Sequence, residues 1–229
     1  SKKLFGDIRG IKMQVEEILE KKKLSLFLKR VFDFLVSGIA IVVLMPLFVV
    51  VGVLIKISSK GPILFKQVRV GKNEEEFKIL KFRTMVVDAE KLGMQITVGE
   101  DKRITKIGKF LRKTKLDELP QLGNVLLGDM SVVGPRPHLW SQNKVYGRKI
   151  KKYMVRHYVK PGITGWAQVN GRNAISWEQK FDYDVWYVDN QSFWLDIKIL
   201  WLTFLKVVKR SDISSTNHAT MEKFEGSKK

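Results

Sequence analysis

The chain has 229 residues and no cysteine, and its 42 lysines and arginines against 23 acidic residues give a formal net charge of +19. The length suits one domain with its own core plus a membrane element, and the lack of cysteine excludes disulfides, cysteine–zinc sites and a cysteine nucleophile. Such a charge is typical of proteins that bind nucleic acid, an anionic membrane surface or a phosphorylated small substrate. Nucleic acid ranks last, because the chain has no zinc-ligand spacing, no helix-turn-helix pattern and no aromatic strand of the RNA-binding type.

A long uncharged run, from Phe34 to Ile55, dominates the first third of the chain. As a helix it would be roughly 33 Å long at 1.5 Å per residue, which is enough to span a bilayer core of about 30 Å. Its length and the lack of a small-residue cleavage site after it argue against a cleaved signal peptide. The run therefore predicts a membrane helix within residues 29–57. The polar, helically patterned residues 1–28 predict a surface helix that leads into it.

The flanks and the middle of this run bear on how it meets the membrane. Lysines at 21–23 precede it, and the segment 56–72 that follows carries several basic residues but no acid. Positive residues near a membrane end tend to stay cytoplasmic, so a helix that enters, bends and returns would satisfy both clusters. Pro46 would supply the bend, because it lacks an N–H and its ring clashes with the carbonyl four residues back. A spanning helix with a mild kink at Pro46 also agrees with the residues, since membranes tolerate proline in helices.

After the membrane run, the periodicity of the apolar residues changes several times. Residues 63–70 and 77–85 alternate apolar and polar side chains, which predicts two strands joined by a hairpin turn at 71–74. Helical spacing returns at 101–115 and again, over a short stretch, at 176–187.

The last patterned element, residues 192–210, has a broad apolar stripe that includes Trp194 and Trp201. Core packing is the usual explanation of such a stripe. Two tryptophans beside lysines also suit a helix that lies in the lipid headgroup layer. The stretch 87–100 and the tail 211–229 carry no clear pattern, which predicts a loop and a weakly ordered end.

Two adjacent carboxylates, Asp117 and Glu118, are the residues best suited to chemistry. A carboxylate can attack phosphorus to form an acyl phosphate, and its neighbour can act as a general base or help to hold a divalent cation that bridges phosphates. Pro120 favours the first turn of a helix, so the pair would precede a helix whose partially positive end keeps a carboxylate ionised. Helix capping is the alternative explanation for acidic residues at this position.

Basic residues in the segments around the acidic pair are candidates for binding phosphate, because arginine matches phosphate oxygens with two parallel hydrogen bonds. The alternative is a basic surface that faces solvent or lipid. The candidates are Lys78, Lys81, Arg83, Arg112, Arg136 and Arg172.

Four segments in this order, KRVFDF, FKILKFRTM, DELPQLGNVLLGDMSVVGPRP and KPGITGWAQVNGR, resemble the bacterial sugar transferases, the monotopic phosphoglycosyl transferases. The resemblance covers residues 28–223, and four ordered motifs are far more specific than one. It implies transfer of a sugar 1-phosphate from a UDP-sugar to undecaprenyl phosphate with release of UMP. It also implies a requirement for Mg²⁺.

The resemblance assigns roles to particular residues. Asp117 would be the nucleophile that carries the phosphosugar, and Asp117 and Glu118 would hold the metal. Members of the family have a re-entrant helix that is broken at a proline, which matches Pro46. Many carry serine before that proline, whereas this chain has Met45, and that serine could have helped the break.

The expected organisation is a mainly helical α+β fold. It comprises an N-terminal surface helix (1–28), a re-entrant membrane helix (29–57), a small cytoplasmic catalytic domain with amphipathic interfacial helices (58–210) and a C-terminal tail (211–229). The resemblance implies the minimal catalytic form of the family, at the cytoplasmic face of a bacterial inner membrane, with both termini cytoplasmic. Expected partners are the UDP-sugar, undecaprenyl phosphate and membrane lipid, with a homo-oligomer left open.

The motifs point in two directions for the sugar. NGRNAISWEQKFDYDVWYV and HATMEKFEG look like the small enzymes that begin N-linked glycan assembly with diacetylbacillosamine. GPRPH and RHYVKPGITGWAQV look more like the hexose enzymes of exopolysaccharide synthesis. We expect an N-acetylated amino sugar, with a hexose as the first alternative and a non-catalytic peripheral membrane scaffold as the second.

Overall fold

The structure, a computed structural model, describes residues 2–87, 89, 101–150, 152–171 and 175–209. The predicted loop at 87–100 and the predicted tail therefore lie almost entirely outside the described residues. Within them the fold is mainly helical α+β, as predicted, with two sheets of two strands each. The elements are α1 (Lys2–Lys21), α2 (Lys23–Ser58), β1 (Leu64–Val70), β2 (Glu76–Phe82), α3 (Lys106–Thr114), α4 (Gln121–Leu127), β3 (Ser131–Val133), α5 (Trp140–Lys149), β4 (Gly162–Thr164), α6 (Trp166–Asn170), α7 (Trp177–Asn190) and α8 (Phe193–Lys209).

Helix α2 contains the uncharged run and continues past both of its ends. Among the described residues it is the one helix long and apolar enough to cross a membrane. It begins at Lys23, ahead of the predicted start at 29, directly after Lys22, whose φ of −102° and ψ of 13° separate it from α1. The helix is uninterrupted at Pro46. A proline removes a single N–H donor from the helix, and the flanking turns keep the helical backbone here.

Both ends of α2 pack against the same body of the protein. Near its start, Lys29 Nζ donates to Asp196 Oδ2 at 2.6 Å and to the Val133 carbonyl at 2.9 Å. Near its end, Val51 and Ile55 are buried in an apolar cluster with residues of β2 and α3. The middle of the helix is largely exposed. Helix α2 is therefore attached to the domain at two widely separated points.

The hairpin β1–β2 confirms the predicted strand pair. The strands are antiparallel, with Leu64 opposite Phe82 and Val70 opposite Glu76. The outer edge of β2 is held by Asn124 of α4, whose Oδ1 accepts from the Leu80 N–H at 2.9 Å and whose Nδ2 donates to the Lys78 carbonyl at 2.9 Å. This clamp fixes β2 beside α4, so the polypeptide that joins α3 to α4 lies next to the hairpin.

The second sheet holds the segment GPRP, residues 134–137. Strands β3 and β4 are parallel, with Ser131 opposite Gly162 and Val133 opposite Thr164. Gly134 and Gly162 approach each other so closely that a Cβ on Gly162 would lie 2.0 Å from the Gly134 nitrogen. Only glycine fits this contact, which fixes where the GPRP segment leaves the sheet.

Two of the helices predicted after the hairpin are confirmed with shifted boundaries, whereas α5 and α6 were not predicted. Helix α3 begins at Lys106 instead of 101, because the Thr105 hydroxyl accepts from the Gly108 N–H at 3.0 Å and caps the helix there. Helix α7 has Ser176 as its N-cap and extends to Asn190.

Helix α8 exposes most of its aromatic stripe. Trp194 is 78% exposed and Trp201 is 59% exposed, whereas the buried residues of the helix are Asp196 and Ile199. Core packing is therefore the wrong explanation for the two tryptophans. The apolar stripe is wide enough to leave one edge on the domain and another edge uncovered.

Candidate active site

The acidic pair lies in a tight turn between α3 and α4. Lys115 adopts a left-handed conformation (φ 61°) and ends α3, and a single 3₁₀ turn, Leu116–Glu118, follows it. Pro120 is the N-cap residue of α4, so the prediction that the pair immediately precedes a helix is confirmed. Because the clamp of Asn124 holds α4 against β2, the turn faces the hairpin.

Glu118 is the anchored member of the pair. Lys81 Nζ donates to its Oε1 at 2.8 Å, and Arg136 Nη2 and Nη1 donate to Oε1 and Oε2 at 2.5 Å and 3.3 Å. Burial by itself opposes the charged form of Glu118. The charges and hydrogen bonds of Arg136 and Lys81 outweigh burial and hold the pKa of Glu118 well below its usual range. Glu118 is therefore an ionised carboxylate with a cation on each side.

Asp117 is the uncommitted member of the pair. Its side chain is buried, with the residue 8% exposed, and its Oδ1 has no hydrogen-bond partner among the described residues. Burial and then the charge of Glu118 raise the pKa of Asp117, against the smaller opposing effects of Lys81, Lys115 and Arg112. Burial and a like charge therefore outweigh the nearby cations in setting the pKa of this carboxyl.

The structure brings together part of the predicted basic set. Lys81 and Arg136 contact Glu118, and Arg112 lies near Asp117, where its charge lowers the pKa of that carboxyl. Arg112 also donates through Nε to the Thr84 hydroxyl at 2.9 Å, which orients its guanidinium. These three cations come from β2, α3 and the GPRP segment, so the site depends on all three being packed together.

The other predicted basic residues lie elsewhere. Arg83 is buried and donates through Nη2 to the Ser59 carbonyl at 2.7 Å and to the Ser59 hydroxyl at 2.9 Å, where it ties down the end of α2. Lys78 is exposed, and the alternation of strand side chains puts it on the opposite face of β2 from Lys81. Arg172 lies outside the described residues.

A buried network holds the main chain of Arg136, and sequence reasoning missed it. Arg156 Nη2 donates to the Arg136 carbonyl at 2.6 Å, its Nε donates to Asp184 Oδ2 at 3.0 Å, and its Nη1 donates to His138 Nδ1 at 2.9 Å. Burial and then Arg156 hold the pKa of His138 well below its usual range, so the ring is neutral and accepts this bond. The one available signal was that Arg156 opens the quoted segment RHYVKPGITGWAQV.

Arg69 of β1 is a second residue that sequence reasoning missed. Burial lowers the pKa of Arg69 to about 10, and the charge of Arg136 adds to this effect, while Glu118 opposes it. Arg69 therefore belongs to the same charged cluster. In the sequence, Arg69 counted only as one of the basic residues that follow the uncharged run. Gln67, two residues earlier in β1, accepts a hydrogen bond from Arg69 Nη2 at 2.7 Å. Residues two apart in a strand share a face, so the alternation of β1 would have placed both side chains on the same face.

The donor set around the acidic pair fits a magnesium ion only in part. Within the described residues no group of three or more histidine, cysteine, aspartate or glutamate side chains is arranged to hold a metal. The free oxygen of Asp117 is a suitable ligand, because Mg²⁺ is commonly held by one or two carboxylates together with substrate phosphates. Glu118 fits less well, since Lys81 and Arg136 occupy both of its oxygens.

A comparison with protein families decides the identity of the fold. The family model described as bacterial sugar transferase matches residues 24–210. The chain belongs to the bacterial sugar transferase family. This sugar transferase is thus an enzyme, and the peripheral-scaffold alternative is set aside. The matched range includes nearly all of α2, both sheets, the acidic pair and all of α8.

Individual relatives agree with this assignment. The sugar transferase is 50% identical over 207 residues to the uncharacterized sugar transferase EpsL of Bacillus subtilis (strain 168), covering 88% of this chain and 98% of EpsL. It is 45% identical over 188 residues to a UDP-glucose:undecaprenyl-phosphate glucose-1-phosphate transferase of Klebsiella pneumoniae, covering 80% of this chain and 40% of that protein. It is 44% identical over 185 residues to a UDP-N-acetylgalactosamine-undecaprenyl-phosphate N-acetylgalactosaminephosphotransferase of Aeromonas hydrophila, covering 80% of this chain and 44% of that protein. The chain therefore spans nearly all of EpsL but less than half of the other two.

Proposed function

We propose that this chain transfers a sugar 1-phosphate from a UDP-sugar to undecaprenyl phosphate, releasing UMP, with Asp117 as the nucleophile. One observation carries the proposal. Both oxygens of Glu118 are engaged by Lys81 and Arg136, whereas Asp117 beside it keeps an unpartnered oxygen. An attacking carboxylate needs a free lone pair. The names of the relatives from Klebsiella pneumoniae and Aeromonas hydrophila support these substrates.

The reaction consists of two displacements at one phosphorus atom. In the first, an oxygen of Asp117 attacks the phosphorus that bears the sugar, the bridging P–O bond breaks, and UMP leaves. In the second, an oxygen of undecaprenyl phosphate attacks the same phosphorus, the acyl phosphate bond breaks, and Asp117 returns to a free carboxylate. Glu118 is suited to holding the cations Lys81 and Arg136 where the phosphate oxygens of the donor would lie.

Magnesium, when bound, would neutralise charge on the phosphates of the donor. Asp117 and Glu118 would hold it, and Asp117 is the better suited of the two because its Oδ1 has no hydrogen-bond partner among the described residues. Arg112, with its Nε on Thr84, adds a positive charge on the Asp117 side of the pair. An ionised carboxylate next to a diphosphate is repelled without such cations, and these residues reduce that repulsion.

A burst experiment tests the nucleophile. With donor alone, the wild-type enzyme should release about one equivalent of UMP per active site and retain the phosphosugar, as a covalent intermediate requires. Asp117→Asn should abolish both the burst and turnover. Asp182→Asn, at an exposed aspartate on α7, is the matched control and should keep both. Wild-type enzyme that releases UMP only after lipid phosphate is added would show a single displacement and remove Asp117 from this role.

The sugar is the least constrained part of the proposal. We expected an N-acetylated amino sugar, and the Aeromonas hydrophila relative takes N-acetylgalactosamine by its name, whereas the Klebsiella pneumoniae relative takes glucose. Both sugar classes are therefore supported. A panel of UDP-glucose, UDP-galactose, UDP-N-acetylglucosamine, UDP-N-acetylgalactosamine and UDP-diacetylbacillosamine should separate them by kcat/KM for UMP release.

The attachment of α2 supports a membrane arrangement in which both of its ends stay on the cytoplasmic side. Lys29 and Ile55 lie at opposite ends of the apolar stretch, and both are buried against the one domain. A crossing helix would carry one of these contacts to the far side of a bilayer core about 30 Å thick. The exposed apolar face of α2 would enter one leaflet instead, with both ends on the same side, which is the placement that the basic flanks predict. The predicted bend at Pro46 is not part of this arrangement, because α2 is uninterrupted there.

A further inference from the structure

A separate cavity lies beside the start of α2, between that helix, the end of α1, the first residue of β3 and the segment 158–160. Its volume of about 190 Å³ is several times the roughly 30 Å³ that one water molecule occupies in the liquid. Its lining shares no described residue with the cluster around Asp117 and Glu118. The cavity is therefore distinct from the candidate active site.

Four basic residues line this cavity, and Lys29 is paired with Asp196, which leaves Arg30, Lys72 and Lys160. A Cβ on Gly128 would lie 3.3 Å from Arg30 Nη2 and 3.4 Å from Lys160 Nζ, so the two head groups point at one place. Lys72 lines the same cavity. Arg30 donates to two neutral carbonyls, those of Val125 at 2.7 Å and Leu126 at 2.9 Å, and its charge is not neutralised by them.

The acidic groups near the cavity do not neutralise this cluster. Asp33 accepts a hydrogen bond through Oδ1 from the Val132 N–H at 3.0 Å, and this contact joins α2 to β3. Asp129 accepts from Asn124 at 3.1 Å. Burial, then Arg30 and Lys72, lower the pKa of Lys160, and these effects outweigh the opposing charges of Asp33 and Asp129. An anion bound here would relieve the repulsion among the three cations.

The remaining walls add a polar acceptor and an apolar side. Gln191 lines the cavity and is 4% exposed, and its Oε1 accepts no hydrogen bond from the described residues. Leu19 and Leu26 form part of the apolar wall. Arg30 stands one turn before Phe34, where the uncharged run of α2 begins.

We propose that this cavity binds the phosphate headgroup of an anionic membrane phospholipid of the phosphatidylglycerol type. The phosphodiester lies at Arg30, Lys72 and Lys160, and the acyl chains extend from Arg30 towards Phe34, along the exposed apolar side of α2. The chemistry recognised is a phosphate. The apolar wall and the adjoining membrane helix favour a lipid as its source over free phosphate. The bound lipid is not a reactant and would fix the depth of α2 in the leaflet.

The test uses the full chain in detergent, titrated with dioctanoyl-phosphatidylglycerol and followed by native mass spectrometry and thermal shift. Dioctanoyl-phosphatidylcholine and inorganic phosphate are the comparison ligands. The double variant Lys72→Gln with Lys160→Gln removes two cavity cations and leaves Arg30 to cap α4. The matched control, Lys113→Gln with Lys144→Gln, removes the same charge at exposed positions outside the cavity.

We expect one phosphatidylglycerol bound per chain, roughly tenfold or more tighter than phosphatidylcholine, which is the scale of a charge-assisted hydrogen bond. The double variant should lose that advantage, and the control pair should keep it. Equal binding of the two lipids, or equal binding by the double variant and the control pair, would overturn the proposal. Inorganic phosphate binding as tightly as the lipid would overturn the lipid assignment. The UMP burst of the double variant should match wild type, so this test is independent of the proposed reaction.

Discussion

At the scale of single residues, the two neighbouring carboxylates differ because of what surrounds each of them. Glu118 meets two cations and is held ionised, whereas Asp117 is buried beside that negative charge and its pKa is raised. An attacking carboxylate must be ionised, so the rate of the first displacement should fall as the pH drops through the raised pKa of Asp117. The neighbours of Asp117 therefore set the acid limit of the enzyme.

Two variants should move this acid limit in opposite directions. Lys81 lowers the pKa of Asp117, so Lys81→Met should raise that pKa and shift the acid limb of the UMP burst rate to higher pH. Glu118 raises the pKa of Asp117, so Glu118→Gln should shift the limb to lower pH. The measurement is the single-turnover burst rate against pH with donor alone, which does not require turnover. Shifts of the same sign in both variants would contradict the assignment of Asp117.

The raised pKa also has a consequence for stability. Because the folded state raises the pKa of this acid, the ionised form destabilises the fold at neutral pH, and that penalty is lost as the pH falls from the folded pKa through the lower unfolded pKa. Asp117→Asn removes the buried charge and should therefore raise Tm at pH 7. The gain should shrink at acidic pH. Asp182→Asn should leave Tm unchanged, and a Tm for Asp117→Asn at or below wild type would refute the argument.

At the scale of elements, the main chain of the GPRP segment is held in place through Arg156 and α7. Arg136 reaches Glu118 with its side chain, while its carbonyl accepts from Arg156, which Asp184 of α7 orients. The active site therefore depends on α7, although that helix contributes no residue to the acidic pair. The close contact of Gly134 with Gly162 fixes the other end of the segment.

Asp184→Asn tests this support. The amide keeps a hydrogen-bond acceptor for Arg156 but removes the charge, so Arg136 should lose its fixed position and the burst rate should fall by roughly tenfold, about 1.4 kcal/mol. The donor KM should rise less than kcat falls, because the change misplaces a group that acts in the transition state. Asp182→Asn, two positions earlier on the same helix and exposed, is the control. Unchanged burst kinetics with a lower Tm would show that the pair only supports the fold.

The exposed aromatic face of α8 predicts contact with lipid. Trp194→Ala combined with Trp201→Ala should make the protein easier to extract from membranes with carbonate, because both rings suit the headgroup layer. Folding should persist, since neither ring is buried. Trp186→Ala on α7, where the ring stacks on Trp166, is the control for loss of a tryptophan. If the double variant unfolds, core packing is the correct explanation for the stripe.

At the scale of the whole molecule, the two attachments of α2 predict its topology. Single cysteines at Lys23 and Lys60 should both react only from the cytoplasmic side, and the chain has no native cysteine to interfere. Val43→Cys, in the middle of the run, should be shielded from water-soluble reagents on both sides. Labelling of either end from the periplasmic side would show a crossing helix and refute the arrangement.

Much of the architecture could be predicted from local pattern. The uncharged run, the alternation that predicts β1 and β2, and the position of Pro120 ahead of α4 depend on neighbours in sequence, so the membrane helix, the hairpin and the placement of Asp117 before a helix were all predicted. The four motifs identified the family for the same reason, since they lie in unbroken stretches of the chain. Local pattern also suggested a stripe on α8, although it could not say whether the domain covers it.

Only the tertiary structure decided how these pieces act on each other. The pKa of Asp117, the position of Arg83 at the end of α2 and the burial of Asp196 against Lys29 all result from contacts between residues far apart in sequence. The periodicity of the sequence does not predict which basic residue pairs with which carboxylate. Ion pairing depends on the distance between the two charged groups in the fold and on their burial. The sequence by itself therefore determined the family, the elements and the acidic pair. Long-range packing determined which carboxylate is free, which cations reach it, and that both ends of α2 pack on one domain.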